Sequence, residues 1–591
     1  MNSKPILYSV EPFDLAGHRF RVTITVAEPA QSGQIFSLPA WIPGSYLIRD
    51  FSRQIESISA KSGAQIIGLT KINNHSWRAS ACSGPLKVTL IVYAWDLSVR
   101  GAHLDESHGF FNGTSLYLRV HGQEQLPCEV TLIAPPRPAR WTVHTSLPES
   151  PSSRLAASRH GFGNYRAQNY DALIDHPVEM GTPQVIKFIV CGAEHELVFT
   201  GQIPNLDIKR IRDDIKRICE SQIRLFEPQT ARAPFLDTSS RYVFMTMVTG
   251  NDYGGLEHRA STALVASRKD LPTVGQTQAP EGYQTYLGLV SHEYFHTWNV
   301  KRIKPAAFAP YDLSRENHTR LLWIFEGFTS YYDDLMLLRS GVINRSDYLK
   351  MLSKQISSVM ATPGRHKQSV AESSFDAWSR YYKQDENSPN ALISYYTKGA
   401  MIALGLDLTI RKESGERYSL DDVMRAMWER FGRDFYTGHP QGLSETGFAK
   451  LVRETTGVDV ANQIAQWAYD THDVPLKALL RNQNIDLNWK AASTKPSLDV
   501  RTRKQGEQIV LATVFEHGAA HHAGLSAMDT LVAFDGIKVD SSTNTLETLL
   551  SRYAPGDRVT IHVFRRDELR AFELTLATPA QNECVLTDIN K

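Results

Sequence analysis

Residues 292 to 296 read His-Glu-Tyr-Phe-His, and that spacing commits the surrounding chain to a helix. On a helix His292 and His296 are four residues apart, so both imidazoles leave one face about one turn apart. Two neutral imidazoles and a carboxylate form a set that zinc accepts, with a fourth position left for water. Glu293 is offset around the helix, where it faces that water without binding the metal. The flanking residues agree with a helix over 286–299. Leu287, Val290, Tyr294 and Trp298 recur at helical spacing, and Gly288, His292, His296 and Asn299 form a small or polar stripe opposite. A helix buried on one side with histidines on the other suits the wall of a cleft.

A second carboxylate, Glu326, lies 30 residues after His296 (326 − 296) in Leu321-Leu-Trp-Ile-Phe-Glu-Gly-Phe-Thr-Ser-Tyr-Tyr332. Apolar residues fill nearly all of that segment, so a helix there is buried nearly all round. A carboxylate in such a place needs a cation or a hydrogen-bond network, because unpaired burial of charge is costly. An arginine is one such partner; zinc on the two-histidine helix is the other. The chemistry suggested is metal-assisted hydrolysis of an amide.

The order H-E-x-x-H, Trp298-Asn299, then Glu326-Gly-Phe-Thr-Ser-Tyr-Tyr332 resembles the M61 family of glycyl aminopeptidases, relatives of the M1 aminopeptidases within the gluzincins. Upstream, Gly254-Gly-Leu-Glu-His258 is similar to the M1 G-x-M-E-N element. Downstream, Tyr396-Thr-Lys-Gly399 is similar to the M1 Y-x-K-G element. The stretch Trp41-Ile-Pro-Gly-Ser-Tyr-Leu-Ile-Arg-Asp50 also looks M61-like.

The resemblance implies one zinc ion per chain on His292, His296 and Glu326, with Glu293 as general base. It implies that Glu257 binds the free α-ammonium of the substrate by a charge-assisted hydrogen bond, which makes the activity an aminopeptidase. Gly254 and Gly255 then lie on an edge strand that holds the substrate backbone, and Tyr396 donates to the developing oxyanion. The Lys-Gly pair selects Tyr396 over its neighbour Tyr395. Substrates beginning with Gly or Ala are implied in the same way. From the residues alone, Glu257 reads equally as a surface carboxylate in a Gly-rich turn, and Tyr396 as a packing aromatic. Lys398, Asn299 and Arg302 are open between loop support and surface solvation, and the role of His258 is open.

Length sets the domain count: 591 residues are too many for one core and suggest three or four domains. A net charge of +1 gives no reason to expect nucleic acid or an anionic membrane as partner. No apolar h-region opens the chain and no run of about 18 apolar residues follows, so a cytoplasmic location is expected. The five scattered cysteines show neither a disulfide framework nor C-x-x-C spacing, and all five are expected as free thiols.

Residues 1–175 alternate strand-like runs with turns, such as Phe20–Val26 and Leu86–Tyr93, and read as an all-β domain. Within it the Trp41–Tyr46 segment is a loop that either packs as a turn or reaches the site. Residues 176–485 read as the catalytic domain, mixed α/β and then helical. It opens with a hairpin over 183–201 and continues with a helix over Ile208–Phe226 and a strand over Tyr242–Val248. A Pro- and Gly-rich loop, Lys269–Gly282, precedes the histidine helix and is placed to cover the site. Gly341 is expected as a C-cap and Ser419 as an N-cap.

Residues 495–580 resemble a PDZ domain, with Ala523-Gly-Leu525, a turn at Asp529, a strand ending in Asp535-Gly536, a groove helix over 544–553 and a closing strand over 558–564. Its carboxylate-binding loop is not clear near 499–508, so peptide capture and simple packing are both open. The fold class expected is multidomain α+β: an N-terminal all-β domain, a thermolysin-like zinc peptidase domain with a helical second half, and a C-terminal PDZ domain. The partners expected are peptides with a free N-terminus and a peptide ligand of the PDZ module. Two rival readings are a zinc endopeptidase and a peptide-binding scaffold with a vestigial protease domain.

Overall fold

Period-two alternation governs the first third of the chain. The strand Arg19–Val26 buries Phe20, Val22, Ile24 and Val26 on one face, and Leu86–Tyr93 buries Leu86, Val88, Leu90 and Val92. With Ile6–Asp14 these strands form the middle of a seven-stranded sheet. Two four-stranded sheets complete the N-terminal β-rich domain, and their inward residues share one large apolar core. The computed structural model describes residues 4–136, 140–150, 156–276, 279–438 and 440–589.

The described chain divides into two compact units. The first comprises Met1–Asn317, Tyr332–Ile343 and Met424–Glu445; the second comprises His318–Tyr331, Asn344–Val423 and Thr446–Lys591. In the first unit, the expected hairpin forms from Gln184–Val190 and Ala193–Thr200. Arg241–Thr249 and Ser261–Ser267 then add in parallel, and Tyr253–Glu257 closes the five-stranded sheet as its antiparallel edge. The helix Ile208–Phe226 is amphipathic and buries Ile211, Ile215, Ile218 and Ile223. It packs on Gln184–Val190 and on the helix Glu281–Phe295, which in turn lies against the two strands at the edge of the sheet. The loop Lys269–Gly282 is shorter than expected, because helix begins at Glu281; residues 277–278 of it lie outside the described residues.

The second unit is helical and then β-rich. Its helices include Arg345–Met360 and Thr397–Ser414, the latter ended by Gly415 in the left-handed region at φ 63°. A five-strand path follows: Val500–Gln505, Gln508–Val514, Thr530–Phe534, Arg558–Arg565 and Glu568–Thr575. A helix over Leu546–Leu550 and a core around Leu511, Phe534 and Ile561 complete the PDZ arrangement. The segment without a clear carboxylate loop is thus largely strand, exposed along Arg501–Gln505. Flanking strands Ile485–Lys490 and Glu583–Asp588 pair with each other, and Leu586 and Cys584 donate to Ser353 and Ser357 of the helix Arg345–Met360. All five cysteines are free, and among the described residues no helix is long and apolar enough to cross a membrane.

Candidate active site

The helix Glu281–Phe295 stops one residue short of its second histidine. His296 still keeps helical angles, φ −59° and ψ −18°, and donates its N–H to the His292 carbonyl at 3.2 Å. The expected extension to Asn299 is corrected: residues 297–299 turn tightly onto the carbonyls of Tyr294 and Phe295. The four-residue geometry survives, because only the residues beyond it leave the helix. The Nε2 atoms of His292 and His296 are 3.0 Å apart. Two ligands of a tetrahedral zinc ion lie about 3.3 Å apart.

Both rings are held from behind. His292 Nδ1 is 2.9 Å from Asp333 Oδ2, and His296 Nδ1 donates to the Asn299 carbonyl at 2.7 Å. A ring that donates from Nδ1 presents its Nε2 lone pair, the protonation pattern a metal ligand needs. Ser291 adds a lock between helices: its hydroxyl donates to the Asp333 carbonyl and accepts from Gln222 at 2.9 Å.

Tyr253–Glu257 runs as an edge strand beside this helix, as the resemblance implies. A Cβ placed on Gly255 would lie 2.1 Å from Glu293 Oε1, so the Glu293 carboxylate occupies the space a side chain would need. At Gly254 the nearest atom would be Val265 Cγ1 at 3.6 Å, and packing makes no such demand. Glu257 ends the strand in a buried position, and its Oε1 has no hydrogen-bond partner among the described residues. Donor atoms of Glu257, Glu293 and His296 lie within 4.8 Å of one another. A buried carboxylate oxygen without a donor is costly, and an incoming cation removes that cost.

The Trp41–Tyr46 segment both packs and reaches this site. Ile42 and Ser45 bridge a turn, Trp41 is buried, and Gly44 sits at φ 94°. A Cβ on Gly44 would fall 2.3 Å from Glu257 Oε2, so the turn is seated directly on the carboxylate. Sequence reasoning noted the segment without predicting this contact. A non-local approach of that kind leaves no periodic signal.

Behind Glu257 the chain is anchored by Asp175, a residue the sequence did not single out. His258 Nδ1 lies 3.0 Å from Asp175 Oδ1, Arg259 Nε donates to Oδ2 at 2.9 Å, and Lys301 Nζ donates to Oδ1 at 2.9 Å. Burial alone raises the Asp175 pKa, but Lys301 and Arg259 hold it well below the usual carboxylate range. Burial keeps His258 below the ordinary histidine value. Its ring thus sits on Asp175 at the end of the edge strand. Arg302 is buried, not solvated, and bonds Asp237 at 2.5 and 2.8 Å and the Thr297 carbonyl at 2.9 Å.

In the second unit, Glu326 is 2% exposed at the junction of the helices Leu322–Phe325 and Gly327–Arg339. Tyr396 is the residue before the helix Thr397–Ser414. The two segments meet through glycines: a Cβ on Gly327 would lie 2.6 Å from Gly399 Cα, and one on Gly399 would lie 2.9 Å from Gly327 Cα. That contact explains why the E-G-F-T and Y-T-K-G elements each carry a glycine. Tyr395 is fully buried, whereas Tyr396 is half-buried, with its hydroxyl 3.4 Å from that of Tyr382. Burial, with Tyr382 and Glu326 adding to it, raises the Tyr395 pKa well above the tyrosine range. Lys398 is buried too, facing the carbonyls of Arg365 and Thr471.

Comparison with known proteins agrees with this arrangement. Residues 7–182 match the Peptidase M61 N-terminal domain, residues 285–402 the M61 glycyl aminopeptidase model, and residues 496–576 a PDZ domain. The chain is similar to a crystal structure of an aminopeptidase N family protein from Idiomarina loihiensis. That match has 41% identity and a TM-score of 0.92, and covers 99% of this chain and 98% of the other. It also aligns with an M1 zinc metallopeptidase from Deinococcus radiodurans bound to a Tyr-Ser-Ala substrate. There the identity is 11% and the TM-score 0.46, over 80% of this chain and 95% of the other. A search of curated proteins gave no match.

Proposed function

The chain belongs to the M61 family of glycyl aminopeptidases, and from that premise we propose that it removes the first residue of peptides beginning with glycine or alanine in a zinc-dependent reaction. His292 and His296 present the two imidazoles that would hold one zinc ion, and Glu326 is the third ligand that the family resemblance implies. Bound there, zinc supplies a Lewis acid and an acidified water. Glu293 takes the proton of the attacking water and returns it to the leaving nitrogen. The Gly254–Gly255 main chain aligns the substrate backbone, and the Tyr396 hydroxyl donates to the oxyanion.

The observation that carries the aminopeptidase reading is the partnerless Oε1 of buried Glu257, beside Glu293 and beneath the turn at Gly44. An α-ammonium group is the cation that fits there, and only the first residue of a peptide offers it beside the scissile bond. The division into residues 1–175, 176–485 and 495–580 belongs to this reading. So does peptide capture by the PDZ domain, whose edge strand Val500–Gln505 is exposed for strand addition.

The test is mass spectrometry of a Gly-initiated peptide and its N-acetylated twin after incubation with zinc-loaded enzyme. Loss of one residue from the free peptide alone is expected. Internal cuts in both peptides would make the protein an endopeptidase and remove the amine-reading role from Glu257.

A further inference from the structure

A second histidine pair lies in the N-terminal β-rich domain. The hairpin strands Ala102–Leu104 and His108–Phe111 place Phe110 opposite His103, so His103 and His108 are diagonal neighbours on one face. Phe110 is also opposite Glu179 of the next strand, which brings that carboxylate to the same face. His103 is 5% exposed and His108 2%.

The turn between the strands is built around Asp105. Its Oδ1 accepts from the Ser107 N–H, the Ser107 hydroxyl and the His108 N–H at 2.6–3.0 Å. Its Oδ2 is left to face His103 Nε2 at 3.3 Å. That is the separation of about 3.3 Å between two ligands on one tetrahedral zinc ion. His108 Nδ1 is 3.2 Å from Glu179 Oε1, which also accepts from Thr200 at 3.0 Å. This carboxylate–histidine arrangement leaves His108 Nε2 buried with no partner among the described residues. One donor atom from each of His103, Asp105 and His108 falls within 4.8 Å of the others.

We propose that His103, Asp105 and His108 form a second zinc site, with Glu179 orienting His108 from behind. It is distinct from the site on the helix Glu281–Phe295, and it ties the turn of the hairpin to its strands. Burial disfavours a proton on His103. Burial also opposes a proton on His108, but Glu179 outweighs it and raises that pKa. A third cluster, His144, His160 and Glu196, is less suited to a cation. Arg159 at 2.6 Å and Lys187 at 3.5 Å already neutralise its carboxylate.

The test is zinc content of the full chain, stripped, reloaded with zinc ions and desalted, measured beside circular dichroism and peptidase turnover. The wild type is expected to retain two zinc ions. A His103→Ala/His108→Ala variant is expected to lose one and keep its turnover; a His292→Ala/His296→Ala variant is expected to lose the other. Asp105→Asn keeps the Oδ1 turn bonds and is expected to weaken the hairpin site by about 10-fold or more, which decides the matter if the double variant does not fold. Equal zinc content in the wild type and in a folded hairpin variant would overturn the proposal. Loss of zinc only on changing the hairpin would uphold it and overturn the zinc role of His292 and His296.

Discussion

Two parts of the first unit each present a pair of imidazoles on one face, one on a helix and one on a hairpin. In both, a carboxylate lies behind one ring, Asp333 at His292 and Glu179 at His108. They differ in what the neighbouring acids have left to offer. In the hairpin, Asp105 Oδ1 is taken up by Ser107 and His108 and Glu179 by His108 and Thr200, which leaves Asp105 Oδ2 facing His103. Beside the helix pair, Glu293 fills the space over Gly255, and Glu257 of the edge strand keeps a buried oxygen without a partner among the described residues. Two histidines make a place for a metal.

The sharpest way to break that contrast is to disable the acid next to the helix pair and leave the ligands. Glu293→Gln is expected to lower kcat by about 10²–10⁴-fold with metal content unchanged; undiminished turnover in a metal-loaded variant would end its role as base. Next in size is the support behind the edge strand. Asp175→Ala leaves Lys301 and Arg259 buried without their shared partner and is expected to cost about 3–5 kcal/mol of stability, read by denaturant unfolding. Asp105 gathers backbone and hydroxyl donors rather than buried cations, so a similar loss on changing it would blur the distinction.

A smaller effect separates the two supporting carboxylates. Asp333→Asn and Glu179→Gln are each expected to weaken zinc binding at their own pair by about 10–100-fold, with turnover falling only for Asp333→Asn. The smallest expected change compares the two glycines of the edge strand. Gly255→Ala drives a methyl group into Glu293 and is expected to reduce kcat/KM markedly. Gly254→Ala meets only ordinary contacts with Val265 and Arg100 and is expected to stay near wild type in steady-state kinetics.

Much of the architecture was legible because it is local. The helix Ile208–Phe226 appears with the bounds expected of that segment of alternating basic and acidic residues, and Tyr253–Glu257 is the edge strand that the Gly-Gly-Leu-Glu element implied. The PDZ segment, by contrast, gained a strand, Glu568–Thr575, and a flanking strand pair that short-range pattern did not flag. The helix expected to run to Asn299 ended at Phe295, where residues 297–299 turn onto the carbonyls of Tyr294 and Phe295 and Val300 takes a φ of 105°.

The sequence by itself determined the chemistry on offer: imidazoles four residues apart, a glutamate between them, and a glutamate after two glycines. It did so because side-chain direction in a helix or strand follows from spacing along the chain. Only the tertiary structure decided what each group faces. Gly44 reaches Glu257 from more than two hundred residues away, Asp175 gathers His258, Arg259 and Lys301, and Asp333 comes back to His292. These contacts depend on packing between elements distant in sequence, and packing of that kind has no period to read.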